Sequence, residues 1–361
     1  MKVSISIDLD NYAEYASLID PKRPRGPSFY PDALPRLLDL LDRHRLRATF
    51  FVIGRDAACP EHRGLLQQAL SAGHELANHS FSHPYNFRAL SPETRAGEID
   101  RAGEAIAQAT GRAPVGFRTP SCDVDGITLG LLEERGYAYD ASVFPSPLMW
   151  VFRLYGRAVV RRGDYQLGEV RMALAPGEPY FPSRRCIHQG ATVPSEDRFD
   201  LPELPLSVAT PLRIPFYSTL LRRGGAGLFR RLVGHHGRRA RRLHALFHLV
   251  EAADLRGSPL EAAFRRSPGL ALPLEARLRF LDGAFAALAE AGESVTLAEV
   301  AGGLRCGGRA ARPAGSDRSA SGQRLPRIDE PPDAASGGGE ARAGERVRAC
   351  ASSLLGSTRR T

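Results

Sequence analysis

The chain has 361 residues, 43% of them hydrophobic and 25% charged, the balance of a globular protein with a large buried core. Its formal charge of +9 is carried almost wholly by arginine and is local, with eight arginines and no acid between Leu220 and Leu243 and eleven arginines against six acids after Gly303. Nucleic acid is therefore excluded as an expected partner of the core, and the basic stretch 220–243 is the one segment suited to peripheral contact with an anionic membrane.

Residues 3–10, Val-Ser-Ile-Ser-Ile-Asp-Leu-Asp, alternate strictly, so Asp8 and Asp10 project from one side of a strand at its C-terminal end. A twenty-residue loop, Asn11 to Tyr30, is expected next, with three prolines and with Tyr12, Tyr15 and Tyr30; such loops are often lids. Helical periodicity starts at Pro31 and runs to Leu41, a buried strand is read over Ala48–Ile53, a helix over 61–72, and a short strand over His74–Asn78. That strand delivers Asn78-His79-Ser80-Phe81-Ser82-His83-Pro84, two histidines at i and i+4. In one helical turn both imidazoles would share a face and reach one metal ion, which then needs a carboxylate and an open position for water.

The rhythm repeats: helix from Ser91 to Thr110 with Ser91 as cap, strand Val115–Arg118, helix Ile127–Arg135 with Asp125 as its expected cap, strand Tyr137–Val143. Strands alternating with helices imply parallel pairing in an open sheet or a barrel, and functional residues then gather at the strands' C-terminal ends. Asp8, Asp10, His79, His83, Arg118 and Asp140 all lie there, as one rim predicts.

Residues 145–235 are irregular and are read as an insertion. A strand at Leu243–Leu249 carrying His244 and His248, a helix at Pro273–Ala291 and a last strand or turn at Ser294–Val300 complete one domain, 1–302, before a disordered tail, 303–361. The five cysteines are scattered and odd in number, which argues against a disulfide framework or zinc knuckle. With no signal core after MKVSISIDLD and no long apolar run, the expected location is cytoplasmic, with peripheral contact at the inner membrane face.

Together these residues resemble the polysaccharide deacetylases with a NodB homology domain, carbohydrate esterase family four, continuously over 3–144 and more loosely over 243–300. Asp8-Leu9-Asp10 matches the first motif, His79-Ser80-Phe81-Ser82-His83 the second, and Arg118-Thr119-Pro120-Ser121 the third, with Ser where an aromatic is commoner. The resemblance implies a distorted (β/α) barrel. It further implies a divalent metal, most commonly Zn2+ with Co2+, Ni2+ or Fe2+ as alternatives, on Asp10, His79 and His83.

By the same resemblance Asp8 is the general base oriented by Arg118, the Ser121 N–H faces the substrate, and a late histidine is the acid. His248 is the first choice for that acid and His244 the alternative. Asp140 matches the fourth motif without its tryptophan, since Trp150 lies well downstream; it either orients the acid histidine or caps the chain after its strand. Tyr12 is a candidate for stacking on a sugar, unless the loop tyrosines merely pin the loop. The implied reaction removes an N-acetyl or related N-acyl group from an amino sugar, a glycan or a lipid-linked sugar. The alternatives are an amidase or deformylase of a small non-glycan amide, a non-catalytic carbohydrate binder, and an iron-dependent oxygenase built on the same two histidines and carboxylate.

Overall fold

The structure, a computed structural model, describes residues 1–19, 26–149, 168–190, 197–264 and 270–309. Residues 1–312 form one compact unit. Trp150 and the expected tail from 310 onward lie outside the described residues.

Five strands follow the predicted rhythm: β1 (Lys2–Asp8), β2 (Thr49–Val52), β3 (Glu75–Asn78), β4 (Gly116–Phe117) and β5 (Tyr139–Asp140). A small antiparallel hairpin, β6 (Val208–Ala209) and β7 (Ile214–Pro215), precedes β8 (Arg242–His248) and β9 (Glu293–Ser294). The main sheet is parallel, in the order β5-β4-β3-β2-β1-β8, with β9 also on β1. β1 is thus central, and Ser4 and Ser6 on its second face are buried along with its isoleucines, because a central strand is covered on both sides.

The helices fall close to expectation. α2 (Tyr30–Arg43) buries Leu34, Leu37, Leu38 and Leu41; α4 (Pro60–Ser71) precedes β3, after the short α3 (Gly54–Ala57). In α5 (Pro92–Thr110) the Ser91 side chain accepts from the Thr94 N–H, and Gly111 ends the helix at φ 75°, where a side chain would be strained. In α6 (Gly126–Glu134) Asp125 accepts from the Thr128 N–H, so its role is the cap.

Two expectations need correction. The stretch after β1 is not a structureless loop: α1 (Tyr12–Ile19) starts at once, because the Glu14 carboxylate accepts the Asn11 N–H at 3.0 Å and the Asn11 side chain accepts that of Tyr12 at 2.8 Å. The last element is only briefly a strand; a helix, Leu297–Arg309, follows β9 and runs beyond residue 303.

The insertion also has a defined task. Its segment 202–217 lies between the two edge strands of the sheet. On one side the Asp140 N–H donates to the Pro202 carbonyl (3.0 Å) and that of Leu204 to the Asp140 carbonyl (2.8 Å). On the other the Ser207 N–H donates to the His244 carbonyl (3.1 Å) and that of Leu246 to the Phe216 carbonyl (2.9 Å). The inserted chain bridges β5 to β8, and the distorted barrel closes through it. No described helix is long and apolar enough to cross a membrane.

Candidate active site

The register of the sheet sets the rim. Asp8 at the end of β1 is level with His248 at the end of β8 and with Phe51 in β2, while Asn78 at the end of β3 pairs with Val52 and Phe117. Just beyond the ends of β1, β3 and β4 stand Asp10, His79 and Arg118, which come together although the sequence separates them widely.

Asp10 Oδ1 lies 3.5 Å from His79 Nε2 and 3.4 Å from His83 Nε2, and the three donor atoms are within 4.8 Å of one another. The two histidines are not joined by a helical turn. A bend with left-handed backbone at Ser80 (φ 62°) and His83 (φ 55°) turns the chain back, held by the His83 N–H on Ser80 Oγ at 3.1 Å. Glu98 of α5 clamps it from outside, accepting from the N–H groups of Phe81 and Ser82 at 3.0 and 2.7 Å and from the Ser82 hydroxyl at 2.8 Å. His79 Nδ1 is 2.8 Å from the Arg118 carbonyl, so Nδ1 carries the proton and Nε2 offers its lone pair to the site.

The set fits a divalent cation. Asp10 Oδ1 is buried with no hydrogen-bond partner among the described residues, a costly arrangement for an oxygen unless something positive satisfies it. One carboxylate and two imidazole nitrogens suit a zinc-like ion with positions left open. The electrostatics agree for Asp10 and His83, whereas at His79 burial is outweighed by Asp8 and then Asp10, which raise the imidazole. Burial alone would raise the Asp10 carboxyl, but His83 and His79 outweigh it and hold it well below the usual carboxylate range. Burial pushes His83 down to about 4, leaving the neutral form that ligation requires.

Asp8 is not in this triad. Its Oδ1 accepts from Arg118 Nη1 at 2.6 Å, and its Oδ2 stands 4.0 Å from both His79 Nε2 and His248 Nε2. Arg118 is itself fixed on several sides, donating to the Ala141 carbonyl (2.8 Å) and Ser6 Oγ (3.1 Å) and lying over the Phe51 ring at 4.1 Å. A buried guanidinium so tied holds the carboxylate in one orientation.

The two candidate acid histidines separate cleanly. His244 is buried behind Arg118, with Nε2 2.9 Å from Ser6 Oγ and Nδ1 3.1 Å from the Pro205 carbonyl; burial and then the arginine push it down to about 3. It is a neutral packing group. His248 stands on the rim, and although burial opposes it, Glu251 and then Asp8 and Asp10 raise it above the ordinary imidazole value. Tyr217 of the insertion packs edge-on against it, ring centroids 5.5 Å apart.

Tyr12 is displaced, and Asp140 takes the second of its two expected roles, capping the chain after β5, where the Ser142 N–H donates to it at 3.3 Å. Asp140 is fully buried and accepts from the Ser142 hydroxyl at 2.7 Å, whose oxygen in turn accepts the Thr119 N–H at 2.8 Å. It props the Arg118–Ser121 loop, and the carboxylates around His248 are Glu251, Asp8 and Asp10. Tyr12 is 2% exposed and packs edge-on against Phe29, so it cannot stack on a sugar. On the same helix it is Tyr15 whose hydroxyl is raised, first by burial and then by the Asp10 carboxylate. Ser121 keeps its predicted place after Pro120, with left-handed backbone at φ 55°.

Sequence reasoning missed Glu98, Tyr217 and Glu251. Glu98 had one signal, an acid on the buried face of a helix beside the histidine motif.

Residues 25–139 match the polysaccharide deacetylase family model. The matched segment is similar to that family. A Helicobacter pylori peptidoglycan deacetylase is 32% identical over 110 residues, 30% of this chain and 36% of that one. A Bradyrhizobium chitooligosaccharide deacetylase is 40% identical over 97 residues, 26% of this chain and 42% of that one. The chain thus spans well under two thirds of these relatives. A Mycobacterium smegmatis crystal structure, assigned provisionally as a polysaccharide deacetylase, superposes with a TM-score of 0.54 over 88% of this chain and 94% of that one at 20% identity. That likeness establishes a shared fold.

Proposed function

We propose that the protein is a metal-dependent hydrolase that removes an N-acetyl group from an amino sugar within a glycan. The observation that carries this reading is the Asp10, His79 and His83 donor set with the separate Asp8–Arg118 pair at one side of it and His248 at the other. Relatives named for peptidoglycan and chitooligosaccharide support the glycan half of the reading.

A divalent cation, zinc by the chemistry of its donors, would supply Lewis acidity toward the acyl oxygen and acidify a water. Asp8, fixed by Arg118, takes the proton as the water oxygen bonds to the acyl carbon. The Ser121 N–H faces the oxygen on which negative charge collects. When the C–N bond breaks, His248 gives its proton to the amine nitrogen. The balance is amide plus water to acetate plus free amine, with the proton gained by Asp8 given up and one regained by His248, through solvent, before the next turnover. His248 suits the acid role because its carboxylate neighbours hold its proton above the ordinary imidazole value.

The zinc-loaded full chain incubated with N-acetylglucosamine oligomers is expected to release acetate and leave amino groups on the sugar. Stoichiometric zinc with no acetate from chitin or peptidoglycan oligomers would sink the glycan reading.

A further inference from the structure

His248 has a partner that no motif announces. Its Nδ1 faces Glu251 Oε1 at 3.8 Å, an ion-pair separation, while Nε2 faces the site. Glu251 is fully buried, and two residues of the inserted segment grip it: the Ser218 hydroxyl donates to Oε1, and Arg222 Nη1 lies 3.2 Å from Oε2. Arg277 holds the turn beneath, donating to the backbone carbonyls of Val250 (2.7 Å), Glu251 (2.9 Å) and Ala253 (2.7 Å).

This arrangement is poorly explained as a stabilising device. Arg222 and Glu251 are both wholly shielded, and among the described residues the guanidinium makes no hydrogen bond within ordinary geometry, Glu251 being its one close ionic partner. Buried ion pairs with unsatisfied donors usually stabilise a fold no better than apolar residues of the same size. The pair does achieve a carboxylate kept ionised without water: burial would raise Glu251, but Arg222 and then His248 bring it below its ordinary value.

We propose that Glu251, clamped by Arg222 and Ser218, is the positioning residue of His248, fixing the ring's Nδ1 side so that Nε2 delivers its proton to the departing amine. The inference rests on the deacetylase reading above, and it makes the inserted segment half of the acid machinery. The groups facing His248 are Asp8 at the end of β1, Asp10 just beyond it, Glu251 in the turn that follows β8, and Tyr217 in the insertion, with Arg222 behind Glu251.

The test uses the zinc-loaded full chain and its Glu251→Gln and Arg222→Lys variants on two substrates. An N-acetylglucosamine oligomer has an amine leaving group that needs a proton; 4-nitrophenyl acetate has one that leaves as the anion. Glu251→Gln is expected to lower kcat on the oligomer by about 100-fold, in the range of a lost general acid, with KM and zinc content unchanged. On 4-nitrophenyl acetate its activity stays within about threefold of wild type, because no proton is required there. Arg222→Lys keeps a charge behind Glu251 and is expected to fall in between.

Independently of turnover, the His248 imidazole, followed by NMR in the same folded proteins, should titrate about one pH unit lower in Glu251→Gln. Equal losses on both substrates, an unaffected amide rate, or an unmoved His248 titration would each overturn the proposal. If Glu251→Gln does not fold, Ser218→Ala and Arg222→Lys carry the same two-substrate comparison. A wild type inactive on both substrates overturns the deacetylase reading, and the NMR titration then still decides whether Glu251 governs His248.

Discussion

At the scale of single residues, the two aspartates at the end of β1 divide their labour by two positions of chain. Asp10 Oδ1 is unpaired and faces two imidazoles, whereas Asp8 is held by Arg118 at 2.6 Å. Asp8→Asn is therefore expected to keep its zinc and lose turnover by at least about 100-fold, the usual weight of a general base. Asp10→Asn is expected to lose the zinc itself, and metal analysis beside kcat separates the two. The positions of these residues were legible early because strand alternation and histidine spacing are local signals, whereas the division of roles came only from the family resemblance. Glu251 was not, since an acid three residues after His248 in an apolar run acquires meaning only when Arg222 and Ser218 arrive from a distant segment. The choice of Tyr12 over Tyr15 failed for a similar reason: without α1, periodicity gives no way to know which tyrosine faces the core.

Among the elements, the contact between β5 and the insertion has a chemical weak point. Asp140 and Glu203 are both buried side by side, and burial followed by the Asp140 charge raises Glu203 well above its ordinary value. An acid raised in this way stays protonated in the native state, while in the unfolded chain it ionises near the ordinary glutamate value of 4.5. The unfolded state then binds fewer protons, so stability is fully present below that pH and declines as pH rises toward the folded value. Glu203→Gln keeps an acceptor for the Val143 N–H (2.9 Å in wild type) and removes the titration. Urea denaturation at pH 5 and pH 8 should show the variant losing about 1 kcal/mol less than wild type between the two, roughly the free energy that a tenfold change in acidity carries. Equal losses would mean that another group carries the dependence. The regular elements were readable from caps and periodicity. The bridge from β5 to β8 was not, because it consists of single hydrogen bonds from irregular chain that carries no period.

For the whole molecule, the proposed metal would join chain that is far apart in sequence, with one candidate ligand after β1 and two after β3. Zinc bound to the folded state alone adds about 2.7 kcal/mol at a hundredfold excess over its dissociation constant. Chelation should accordingly lower the thermal midpoint by several degrees in wild type and leave Asp10→Asn unmoved, a comparison that scanning fluorimetry can make. The basic segment 220–243 reads differently in three dimensions than in one. Arg222 is turned inward onto Glu251, and the helix Gly225–Gly237 buries Phe229 and Val233, so any anionic surface would meet only the outer arginines.

The central place of β1 has a consequence for synthesis. It pairs with β8 from Lys2 against Arg242 to Asp8 against His248, so that flank stays an open edge until β8 has left the ribosome. The proposed metal ligands precede the proposed acid in the chain and lie on the first few strands. A nascent chain would therefore hold that donor set before His248 is in place, with the backbone amides and carbonyls along one side of β1 still open to another copy.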